Sequence, residues 1–274
     1  MGKKVLIAAG CSYTDSKFYS QDETLSEEKR GGWPMWPELL ADHLSLKCIN
    51  TGKCGASNDF IINSVINEIA KNADNVDTVA VLLTGSERYE LFNYHLNPPV
   101  ELNVRLKENH PFPAFSYLED IGIGYINANY WSSEYFDPLT YKTIINNWVN
   151  KILILIKLCK AYNIKLILMQ GLEPFDYMMY YMLAKENKIK FGTNKEIILK
   201  YFISNPVIAE LQKEKDKIIG WPIFNNLGGF SYDFHRFKNG WKNSISKLDS
   251  HPNSEGQIEI SSFFIKKYTD LYQR

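Results

Sequence analysis

Short apolar runs alternate along this chain with longer stretches in which apolar residues recur at three- and four-residue steps. The runs Lys4 to Ala9, Leu46 to Ile49, Thr78 to Leu83 and Ile164 to Met169 are bounded and nearly unbroken, as expected of strands buried on both faces of a parallel sheet. A fifth strand is expected from Ile218 to Phe224. Trp33 to Leu44 reads as a helix with proline in its first turn. Asp59 to Ala70 carries Ile62, Val65, Ile66 and Ile69 on one face, and Thr143 to Tyr162 sets Val149, Ile152, Ile156 and Cys159 opposite its lysines. Ile258 to Tyr272 closes the chain as a further helix. This alternation predicts a doubly wound, flavodoxin-like α/β/α fold around a mostly parallel sheet of about five strands.

Two stretches break the rhythm. Asn93 to Tyr141 is rich in Pro, Asn, Tyr and Phe, and Glu173 to Lys217 reads as extra helices plus loop. Excursions of this kind at the loop ends of an α/β sheet are lids, pocket walls or packing decoration. They are expected as insertions, at about 93–141 and 173–217, in one domain spanning 1–274.

Composition narrows the function classes. Lys+Arg and Asp+Glu both number 31, a formal net charge of +0, so the electrostatic footprint of a general nucleic-acid binder is missing. The most apolar stretch, NNWVNKILILIKLCKAYN, is interrupted by Lys151, Lys157 and Lys160 and cannot span a bilayer without burying charge. Cys11, Cys48, Cys54 and Cys159 form no C-x-x-C pair and no zinc-spaced Cys/His cluster, which suits reduced thiols. The apolar part of the N-terminus, Val5 to Gly10, is shorter than the roughly 7–15 residues a secretion signal needs. A cytoplasmic protein is expected, with no metal, no cofactor and neither nucleic acid nor membrane as partner. The oligomeric state stays open.

The candidate chemistry begins at Ser12, in Gly10-Cys11-Ser12-Tyr13, just past the first strand. Ligands of open α/β sheets sit at the carboxyl ends of strands. A phosphate cradle would want several glycines here, and AAGCSYTDS has one. A nucleophilic serine needs a base, an orienting carboxylate and a pair of oxyanion donors. His251 stands in a polar loop before the last helix, and Asp249, two residues away, is placed to take its Nδ1 proton and fix the tautomer. Taken alone, Ser12 reads more often as a turn or cap serine, and the Asp249–Pro252 stretch as an ordinary helix approach with Asn253 or Ser254 as N-cap.

Two further blocks follow the second and third strands: Asn50-Thr51-Gly52-Lys53-Cys54-Gly55-Ala56-Ser57-Asn58 and Thr84-Gly85-Ser86-Glu87-Arg88. With them, the order of elements resembles the SGNH/GDSL hydrolases, and in particular the divergent SGNH-like proteins of phage genomes. The resemblance implies Ser12 as nucleophile, with Cys11 in the usual aspartate's place, and His251 as base. It also implies an oxyanion site made by the backbone N–H groups of Ser12 and Gly55. Two features depart from the family pattern. Glu87 stands where a Gly-x-Asn-Asp block places its asparagine, so Asn58 or Arg88 is the candidate for the missing donor. Asp249-Ser250-His251 is one residue shorter than Asp-x-x-His.

His235, in an Asp-x-His frame of its own, is the competing base, and Trp33 and Trp36 are candidates for the pocket mouth or for packing. The expected activity is hydrolysis of an ester, an O-acyl group on a carbohydrate or another small polar acceptor, without metal or cofactor. The alternative is a binding or virion-associated protein on the same fold that recognises a glycan or protein partner without turnover.

Overall fold

The computed structural model describes residues 4–85, 88–93, 100–105, 138–172, 202–223 and 227–273, with the backbone alone for 88–93, 100–105 and 138–145. Strands β1 (Val5–Ala9), β2 (Lys47–Asn50), β3 (Val76–Leu83), β6 (Lys165–Gln170) and β7 (Ile218–Ile219) form one parallel sheet in the order β2-β1-β3-β6-β7. β4 (Arg88–Asn93) and β5 (Val100–Arg105) pair as a separate antiparallel hairpin. Every residue of β1 is buried, as is every residue of β3 but one, because helices cover both faces of the sheet.

Among the described residues the α-helices are α1 (Trp36–His43), α2 (Asn58–Asn72), α3 (Pro138–Ala161), α4 (Pro206–Lys213), α5 (Tyr232–Lys238) and α6 (Ser254–Tyr272). α1 packs with α6, and α2 packs with α3, which packs in turn with α4. The α1–α6 seam is stacked: the Trp36 ring lies 4.4 Å from that of Phe264, and Gln257 Oε1 accepts the Trp36 N–H at 3.0 Å. Trp36 is wholly buried and belongs to the core rather than to a pocket mouth. Among the described residues no helix is long and apolar enough to cross a membrane.

The fold is the doubly wound α/β type that the alternation predicts, with two corrections. The fifth strand ends at Ile219, not Phe224, because Gly220 turns the chain at φ 77° and Pro222 has no N–H to donate to a ladder. The excursion expected from Asn93 overlaps the β4–β5 hairpin, in which Tyr89 pairs with Val104 and Leu91 with Leu102. The remainder of that excursion up to 137, and residues 173–201 of the second, lie outside the described residues.

The sheet order has one functional consequence. The chain passes from β1 outward to β2 and then back across to β3, so the switch point of the topology lies between β1 and β3. The crevice at the carboxyl ends of those two strands is where such sheets bind ligands. Ser12 follows β1 there, and Thr84 and Gly85 follow β3.

Candidate active site

The turn that presents Ser12 is held from within. Thr14 and Asp15 donate their N–H groups to the Cys11 carbonyl at 2.8 and 3.2 Å. A Cβ at Gly10 would lie 2.1 Å from Thr14 Oγ1, so the tight return of the chain onto β1 requires glycine. Cys11 is fully buried as a small core residue, and Ser12 is 5% exposed at the corner.

The block after β2 is fastened against this turn. Thr51 N–H donates to Ala8 O at 2.8 Å, Lys53 N–H to Gly10 O at 3.1 Å, and the Asn50 side-chain amide to Thr14 O at 2.8 Å. Cys54 N–H reaches Asp15 Oδ2 at 2.9 Å. Gly52 passes so close that a Cβ would sit 2.6 Å from the Thr14 carbonyl carbon. Gly55 adopts φ 79°, a left-handed conformation that favours glycine. Among the described residues the N–H groups of Ser12 and Gly55 have no hydrogen-bond partner.

The loop before α6 supplies the other half. Ile245 N–H donates to His251 O at 2.9 Å and Ser246 N–H to Asp249 O at 3.0 Å, folding the loop on itself. Asn253 caps α6 by accepting the Gly256 N–H at 3.0 Å. Asp249 Oδ1 accepts the His251 backbone N–H at 2.9 Å and lies 2.6 Å from His251 Nδ1. A two-residue spacing therefore suffices: the carboxylate closes an Asx-type turn and still meets the ring. Because a carboxylate only accepts, Nδ1 carries the proton and Nε2 is left to accept. Nε2 lies 3.0 Å from Ser12 Oγ.

The surroundings fix both partners of this chain of contacts. Ser20 Oγ donates to Asp249 Oδ2. Burial pushes the Asp249 carboxyl up, but the hydrogen bonds from Ser20, from the His251 backbone and from its ring outweigh that and hold it below the usual carboxylate range. The His251 ring lies 4.2 Å from the Phe18 ring and meets Tyr13 edge-on at 5.5 Å. Burial, and after it the Asp233 carboxylate, push the Tyr13 phenol well up, so that it stays neutral while donating to Asp233 Oδ1 at 2.7 Å.

A serine at the exit of β1, a glycine-bearing turn from β2 packed on it, and an aspartate–histidine pair before the closing helix meet at the carboxyl edge of the sheet. Among solved structures the chain is similar to the psychrotrophic esterase EstA from Pseudoalteromonas sp., at 12% identity and a TM-score of 0.46, covering 99% of this chain and 100% of that one. It is also similar to a catalytic mutant of Axe2, an acetylxylan esterase from Geobacillus stearothermophilus, at 11% identity, a TM-score of 0.44, and 97% and 94% coverage. A third is a protein of the G-D-S-L family from Desulfitobacterium hafniense, at 10% identity, a TM-score of 0.42, and 96% and 99% coverage. No protein-family model and no curated protein matches the chain. What the site can do is read from its own atoms.

The remaining expected residues fall elsewhere. Asn58 is 4% exposed, and its amide is committed to the exit of β3: Nδ2 donates to Thr84 O at 3.0 Å and Gly85 O at 3.3 Å, and Oδ1 accepts the Thr84 N–H at 2.9 Å. These contacts tether α2 to the exit of β3. Arg88 begins β4, and Glu87 lies outside the described residues. His235 is on α5, its Nε2 3.1 Å from Glu259 Oε1 on α6, and so belongs to a separate pair. Among the described residues no group of three His, Cys, Asp or Glu could hold a metal ion.

Three residues around the site carry no motif: Phe18, Ser20 and Arg236. Phe18 and Ser20 come from the irregular segment after Ser12 that folds over the Asp249 loop, and Asp22 of the same segment accepts from Ser246. Their only trace in the sequence is proximity to Ser12.

Proposed function

We propose that the chain is an SGNH-type serine hydrolase that cleaves esters, with Ser12 as nucleophile, His251 as general base and acid, and Asp249 as the carboxylate that orients it. The observation that carries this reading is the continuous contact from Ser12 Oγ to His251 Nε2 at 3.0 Å and from His251 Nδ1 to Asp249 Oδ1 at 2.6 Å, at the switch point of the sheet.

Ser12 Oγ attacks the ester carbonyl while its proton passes to His251 Nε2, and the charge on the imidazolium is stabilised by Asp249. The tetrahedral oxyanion is met by the N–H groups of Ser12 and Gly55, both without an internal partner among the described residues. Collapse breaks the bond to the leaving alkoxide, which takes the proton from Nε2 and departs as the alcohol. Water then attacks the acyl-serine, gives one proton to Nε2, and the released acid leaves Ser12 reprotonated. The substrate is an ester of a small polar acceptor, an O-acylated carbohydrate being the class favoured.

The test is hydrolysis of p-nitrophenyl acetate by the purified protein. Turnover that Ser12→Ala eliminates, with the fold intact, supports the reading. Wild-type protein that is folded yet inert, and that binds a glycan whether or not Ser12 is replaced, favours the binding or virion-associated reading, for which Glu87 in the third block is the sequence observation.

A further inference from the structure

Arg236 is 1% exposed and lies between the two turns that make the site. From α5 its Nη1 donates to Tyr13 Oη at 3.2 Å, and its Nη2 donates to Ser244 Oγ at 2.5 Å and to the carbonyl of Ser250. Tyr13 directly follows Ser12, and Ser250 is the one residue between Asp249 and His251. Asp233 on the same helix brings its Oδ1 to 3.6 Å from Nη1. The aromatic rings of Tyr13, Tyr232 and Trp241 stand 5.7, 5.6 and 5.2 Å from the guanidinium carbon. Helix α5 is itself anchored on the sheet, since Asp233 N–H donates to Gly171 O, just past β6, at 2.9 Å.

A guanidinium is the group whose planar fork can serve two partners in fixed directions at once. Here one branch of the fork holds the residue after the nucleophile and the other holds the peptide of the shortened aspartate–histidine frame. Asp249 and His251 come from a loop without regular structure, with Ser12 on the opposite turn. A link to the sheet through α5 fixes the relative position of the two.

We propose that Arg236 is a positioning residue that locks the Tyr13 side of the nucleophile turn and the Ser250 peptide into one frame and so sets the Ser12–His251 alignment, an inference that rests on the hydrolase reading above. It touches no reacting atom. Its effect passes through Tyr13 and Ser250, and falls on the rate of acylation rather than on substrate affinity.

The experiment compares wild type, Arg236→Lys and Tyr13→Phe in p-nitrophenyl acetate turnover and in the rate of labelling by a fluorophosphonate, each per folded molecule and well below the thermal midpoint. Arg236→Lys keeps the charge and loses the fork. The expected result is a fall of about 10- to 100-fold in kcat and in labelling rate with KM within about two-fold, because a small misplacement of reacting groups acts on rate. Tyr13→Phe keeps the ring against His251 and removes one branch. It is expected to lower kcat by a smaller factor, and it keeps the test decisive should Arg236→Lys not fold. Arg236→Lys or Tyr13→Phe protein with wild-type kcat and labelling, whatever its melting temperature, overturns the positioning role alone. Wild-type protein that neither turns over the ester nor labels overturns the hydrolase reading, and this inference with it.

Discussion

His251 Nε2 lies 3.0 Å from Ser12 Oγ although 239 positions separate the two residues. The sheet topology brings them together: β1 delivers Ser12 to its carboxyl end at the switch point, and the loop that leads into Asn253, the N-cap of α6, delivers His251 to the same edge. Replacing His251 with Ala should lower ester turnover by several orders of magnitude, whereas His235→Ala should leave it within about two-fold, since His235 pairs with Glu259. Steady-state rates of the two variants on one activated ester check this.

Asp249 fixes the tautomer of His251 through a 2.6 Å contact to Nδ1. An asparagine in its place can turn an amide N–H toward the ring and so favour the wrong tautomer. Asp249→Asn should therefore reduce kcat by about two to four orders of magnitude with little change in KM. Separate measurement of kcat and KM decides it; retained turnover would mean that something other than Asp249 holds the base.

The same carboxylate has a pH consequence. Its pKa in the folded protein is lowered, with the hydrogen bonds from Ser20 and His251 outweighing the opposing effect of burial. A depressed carboxylate contributes stability that is fully present above its unfolded pKa of about 3.9 and is lost as pH falls below that toward the folded value. Removing the Ser20 hydroxyl raises the folded pKa toward the ordinary one. Ser20→Ala should thus lose stability relative to wild type at neutral pH, with a shallower dependence on pH below about 4. Chemical denaturation across that range reads it out.

The packing of the second block on the first is testable at one glycine. A Cβ at position 52 would lie 2.6 Å from the carbonyl carbon and 2.7 Å from the carbonyl oxygen of Thr14, which as backbone cannot simply rotate away. Gly52→Ala should destabilise the fold by about 1–3 kcal/mol, the usual range for forced overpacking, and lower turnover because the Ser12 turn moves. Denaturant midpoints together with turnover check both parts.

Much of this site is legible in the sequence, and for a physical reason. A strand buried along its whole length such as Val5–Ala9 is apolar on both faces, which makes its end, and hence the position of Ser12, visible as the point where the apolar run stops. The pairing of His251 with Asp249 is local and lies in a short polar loop before a patterned helix. The roles of Asn58, Ser20 and Arg236 are not legible, because each depends on contacts between segments far apart in the chain. Arg236 meets Tyr13 across 223 positions and Ser20 meets Asp249 across 229, and no periodicity marks either pair. The β4–β5 hairpin was hidden differently: its alternation is only six residues long on each strand and sits in a stretch otherwise rich in turn formers.

The measurement that bears most directly on the central claim is labelling of the purified protein with a fluorophosphonate, followed by peptide mapping. A nucleophilic serine activated by His251 attacks the phosphorus, expels fluoride and remains covalently modified. The account predicts one adduct, on Ser12, lost in Ser12→Ala and strongly slowed in His251→Ala. Folded wild-type protein that acquires no adduct, or one on a different residue, would contradict it.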